Sequence, residues 1–107
     1  MKDYKDLIKD GDFHKARAML ETLILSLAAS DVEKNLLLNK LRFEWQMAKK
    51  RAENTSEDDE DARRAKAESK YHQELYYVLQ KVFGETIALM DRLGLLTKEF
   101  RIDVTRG

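Results

Sequence analysis

Leu38, Leu41, Trp45, Ala48 and Ala52 recur at alternating steps of three and four, and none of the 107 residues is a proline that would interrupt such a run. That spacing is one face of an α-helix, and the alternation makes it a narrow seam suited to an antiparallel partner helix. A matching stripe follows at Tyr71, Leu75, Leu79, Val82, Leu89 and Leu93, with Thr86 in the seam and Val78, Phe83 and Met90 beside it. The expected fold class is therefore all-α: a small helical bundle of three main helices plus a short N-terminal helix. Helices three and four form a long antiparallel hairpin. The charged fraction, 37%, exceeds the roughly 25% of ordinary globular chains, as helices with one apolar stripe and a solvated back require.

Punctuation divides the chain. A first helix is expected from about Lys2 to Lys9, ended by a turn at Asp10-Gly11-Asp12 in which Asp12 caps the next helix. That second helix runs to about Ala29, with Phe13, Ala16, Leu20, Leu23 and Leu27 on one face widened by Met19, Ile24 and Leu25. It is expected to be largely buried. Ser30-Asp31-Val32-Glu33 has the form of a capping box and starts the third helix near Asp31, where Leu36 and Leu37 add contacts.

Between Lys49 and Lys70 the only apolar residues are alanines, and the charges of both signs balance. This stretch is either a disordered linker or the solvated tip of the hairpin, and the tip is the reading adopted. Thr55 and Ser56 are suitable caps, and Glu57, Asp58 and Asp59 suit the positive end of a helix dipole. The fourth helix then runs from about Glu57 to Leu93, roughly 55 Å. Gly84 either permits a kink or a close helix approach or breaks the helix, whereas Gly94 stands where a left-handed cap belongs. The bundle domain spans 1–94. In the extended tail, 95–107, Phe100, Ile102 and Val104 alternate with polar residues at the period of a strand. The tail is a frayed terminus, an arm laid over the bundle, or an edge that pairs with another chain.

Composition and spacing argue against catalysis. Without cysteine there is no disulfide framework or thiolate chemistry, and His14 and His72 lack the paired Glu-x-x-His spacing of helical di-iron sites. No nucleophile turn or phosphate-cradling glycine loop occurs. Seven residues separate Arg64 from His72, which misses the tighter Arg-to-His spacing of small helical ribonucleases; both histidines read as packing or surface residues. No enzyme activity, metal, cofactor or small-molecule substrate is expected. Twenty basic against twenty acidic residues remove the electrostatic case for a nucleic-acid or anionic-membrane binder. Lys49, Lys50 and Arg51 are expected to face the Glu57–Asp61 run across the hairpin. With no secretory signal or membrane-length apolar run, the expected location is cytoplasmic.

What remains is protein–protein interaction. Tyr76 and Tyr77 are adjacent and point about 100° apart, so only one can join the seam and the other is expected at the surface. The candidate partner-binding residues are Trp45, Tyr76, Tyr77, Phe100, Ile102 and Val104, and the first partner to consider is another copy of the chain. The alternative is a small phage- or plasmid-encoded inhibitor or regulator of a nucleic-acid enzyme. In that reading Asp58, Asp59 and Asp61 at the acidic hairpin tip mimic phosphates.

Leu7-Ile8-Lys9-Asp10-Gly11-Asp12-Phe13-His14-Lys15-Ala16 resembles the turn between tetratricopeptide helices, but it occurs once, with no 34-residue recurrence, so a repeat array is rejected. The same opening, with Asn35-Leu36-Leu37-Leu38-Asn39-Lys40-Leu41-Arg42-Phe43 and Glu74-Leu75-Tyr76-Tyr77-Val78-Leu79, resembles bacterial effector-associated domains. These are small, death-domain-like helical adaptors of prokaryotic conflict systems. The resemblance covers about Lys2 to Leu93 and implies docking of helices without catalysis; it transfers no individual functional residue. The acidic turn is longer than in that class, and the tail has no counterpart there.

Overall fold

The computed structural model describes residues 3–54 and 58–94, and every regular element among them is an α-helix: α1 (Tyr4–Asp10), α2 (Phe13–Ser26), α3 (Asp31–Glu53) and α4 (Glu60–Arg92). The antiparallel hairpin of α3 and α4 is the backbone of the molecule, and α2 lies across both with α1 folded back against it. Thr55, Ser56 and Glu57, and the tail residues Phe100, Ile102 and Val104, lie outside the described residues.

Local chemistry sets the helix ends. The Asp3 carboxylate accepts from the Asp6 backbone N–H at 2.9 Å to start α1. Gly11, at φ 80°, ends it in the left-handed region, where a side chain would be strained. Asp12 holds the cap position of α2, yet its side chain makes no capping hydrogen bond. α2 stops at Ser26 rather than near Ala29, because Leu27 turns to extended backbone and drops its side chain into the core. Ser30 starts α3 as expected: its hydroxyl accepts from the Glu33 N–H at 3.2 Å and donates to the Glu33 carboxylate at 3.1 Å.

The core comprises Leu7, Ala16, Leu20, Ile24, Leu38, Leu41, Trp45, Ala48, Leu75, Val78, Leu79 and Val82. A smaller group, Leu27, Leu89 and Met90, closes the end where α4 finishes. The α3 seam is buried throughout. In the α4 stripe Leu75, Leu79, Val82 and Leu89 are buried with Thr86, whose hydroxyl donates to the Val82 carbonyl at 2.8 Å, whereas Tyr71 is half-buried and Leu93, just past the last turn of α4, is exposed. α2 is less buried than its wide apolar face suggests: Met19 and Leu25 are exposed, because the hairpin offers only one groove to receive it.

Three ion pairs record the hairpin register. Glu33, Lys40 and Arg51 of α3, spaced seven and eleven residues apart, meet Arg92, Glu85 and Glu74 of α4, spaced seven and eleven in reverse. Arg51 donates to Glu74 at 2.8 Å and lies 3.6 Å from Glu44, so it does not reach the acidic run. The reason is length. In this register α3 ends opposite about residue 72 of α4, and the first turns of α4 project past that end, exposed at most positions. α4 begins at Glu60, three residues later than expected, with Asp59 as cap. It continues unbroken through Gly84, where an added Cβ would meet nothing within 4 Å; the glycine serves neither a break nor a close helix approach.

Candidate protein-docking surfaces

The side chains expected to carry interaction divide sharply by position. Trp45 belongs to the core: one face is covered by the Arg17 guanidinium 4.8 Å from the ring centroid, and His14 packs 5.6 Å away. It braces α2 against α3, so its ring is no docking feature. Arg17 is held over it by Glu21, one helical turn on, at 3.1 Å. His72 stands on α4 in an edge-to-face contact with Phe13, ring centroids 5.8 Å apart, and is exposed, a packing position at the rim.

Tyr76 and Tyr77 are both exposed, where their adjacency required only that at least one be. Leu75, Val78 and Leu79 fill the seam without either tyrosine. The two rings meet edge to face at 5.9 Å, and the Tyr76 hydroxyl accepts from the Gln80 amide at 3.3 Å. Tyr76, with Gln80 and Phe83, also forms one wall of a groove of about 730 Å³ between α1 and α4, with Tyr4, Lys5, Ile8 and Lys9 of α1 opposite. Across this groove Tyr4 stacks on Phe83 at 4.5 Å and donates to the Leu79 carbonyl at 3.1 Å. Burial pushes the Tyr4 phenol well above its ordinary value, and nearby Tyr76 adds to the effect.

Asp58, Asp59 and Asp61 are exposed at the projecting start of α4. Cations follow within a turn, and Glu60 pairs with Arg64 at 3.7 Å, so the sign of charge alternates along the projection. Among the described residues, no group of three His, Asp or Glu side chains is placed to hold a metal ion. No helix there is long and apolar enough to cross a membrane.

A further apolar surface lies on α3. Val32, Leu36 and Phe43 are 69%, 64% and 59% exposed on the face of α3 opposite the core. With Asn39 and Gln46, also exposed, they repeat at four, three, four and three, a second heptad stripe half a turn from the first. The cue exists in the sequence, but Leu36, Leu37 and Leu38 are consecutive, so the periodicity admits either assignment. Leu36, expected to pack inward, faces out, and Leu37 takes the half-buried position. Beside this stripe a groove of about 380 Å³ opens between α3 and α4, lined by Leu36, Leu37, Ala88 and Leu89 and closed by Glu33 and Arg92.

Comparison with protein-family models, with curated proteins and with solved structures gives no match.

Proposed function

We propose that the chain is a non-catalytic helical protein–protein interaction module, an adaptor of the kind that the resemblance to bacterial effector-associated domains implies. The observation that carries this reading is the outward stripe of α3. Three large apolar side chains sit more than half exposed on a helix whose opposite face is already locked in a complete core. A side chain held there gains nothing for the fold, whereas a docking partner would bury it. Exposed Tyr76 and Tyr77 on α4 supply a second patch of the residue type enriched at interface centres.

The acidic tip supports the phosphate-mimic reading less well, because Arg63, Arg64 and Lys66 follow the aspartates at once. A mimic of a nucleic-acid backbone needs a sustained negative field.

The test is site-specific photo-crosslinking in the cell that makes the protein, with the crosslinking residue at position 43, at position 77, or at position 64 on the projection. Light-dependent adducts from 43 or 77 and none from 64 are the expected result. Absence of adducts at 43 and 77 overturns the docking reading, and adducts from 64 alone favour the acidic tip.

A further inference from the structure

We infer that the outer face of α3 docks on the same face of a second copy, antiparallel, across a two-fold axis at Asn39. This deepens the interaction reading above by naming its partner.

The stripe Val32, Leu36, Asn39, Phe43 and Gln46 has heptad spacing, which fits a helix of the same spacing better than a strand or a loop. Its residues are arranged nearly symmetrically about Asn39. Leu36 lies three residues before and Phe43 four after, and Val32 and Gln46 lie seven to either side. Reversing one copy about Asn39 sets Val32 opposite Gln46 and brings Leu36 to within one residue of Phe43 in both halves. At the axis Asn39 faces Asn39, and each amide carries both donor and acceptor, so the pair satisfies itself. A polar residue at one core position of a helix pair is the feature that fixes register and orientation, at a cost in strength.

Charge selects the same orientation. Asp31 is exposed at the start of α3, and Lys49 and Lys50 are exposed near its end. Antiparallel pairing brings the acidic end of one helix to the basic end of the other and also opposes the helix dipoles, whereas parallel pairing stacks like charge on like. Three apolar side chains per copy make a small contact, so the dimer exchanges readily and its population follows concentration.

The protein has no cysteine, so engineered thiols report geometry without background. On the full chain, Asn39→Cys is expected to form an intermolecular disulfide readily under mild oxidation. Val32→Cys is not, because antiparallel pairing holds the two positions about 21 Å apart along the axis. The double variant Val32→Cys/Gln46→Cys is expected to link. In parallel, light scattering of the unmodified chain is expected to show mass rising with concentration towards twice the monomer. Leu36→Ser/Phe43→Ser is expected to weaken that association at least about tenfold while the circular-dichroism melt stays in place, as both side chains are exposed.

A concentration-independent monomer overturns the self-pairing while leaving photo-crosslinking to a different protein as the test of the broader reading. Linking of Val32→Cys alone, or a dimer untouched by the double serine variant, overturns this interface in favour of another geometry or face.

Discussion

Gly84 is a residue whose cost has no structural return. It stands on the solvent side of an unbroken helix with open space where a Cβ would go, and glycine in a helix interior costs about 1 kcal/mol relative to alanine. Gly84→Ala is therefore expected to stabilise the protein by about that amount, read as a higher midpoint in urea unfolding. Tyr4 is the opposite case, a polar side chain drawn inside to pin α1. Its phenol titrates higher folded than unfolded, so the fold favours the protonated form. The stability this gives is complete below the ordinary tyrosine value of 10.0 and declines as pH rises beyond it. Above that pH, wild type is expected to lose stability more steeply than Tyr4→Phe; equal slopes in paired melts would show that the phenol does not titrate in this way. Thr86 bonds only to the backbone of its own helix, so Thr86→Val, which keeps the shape, is expected to change stability little.

The helices differ in how much of each is held by tertiary contact. α3 has a true cap, and Ser30→Ala is expected to cost about 1 kcal/mol in the same unfolding assay. α4 is buried against the bundle from about Tyr71 onward, and its earlier turns are mostly exposed. Its first turns keep their helix through capping by Asp59, local charge pairs and the propensity of Ala62, Ala65 and Ala67. Isolated helix of that length is marginal in water, so this stretch opens far more often than the seam. Brief trypsin treatment is expected to cut first after Arg63, Arg64 or Lys66 and only later after Lys81, which mass spectrometry would read directly. The three cross-hairpin ion pairs are partly exposed and add little energy individually, yet their matched spacing opposes any slip of one helix along the other.

At the scale of the molecule, α4 runs essentially the full 52 Å of the longest dimension, and α1 and α2 cover one side of the hairpin. The outer face of α3 stays open with the stripe centred on Asn39. The helical class, the buried α3 seam and the α4 seam from Leu75 to Leu89, the turn at Gly11, the cap at Ser30 and the left-handed Gly94 were all legible from spacing and residue type. Each depends on neighbours within one or two turns, which is the range over which sequence pattern reports structure. Local pattern did not show the second apolar stripe on the outer face of α3, why both Tyr76 and Tyr77 are left outside, or where Arg51 finds its carboxylates. Nor did it show that Trp45 is sealed beneath Arg17. Those outcomes follow from the hairpin register and from the one groove available to α2, and they rest on contacts between residues tens of positions apart. Periodicity shows that a helix has apolar faces; only packing against the rest of the chain decides which one remains for a partner.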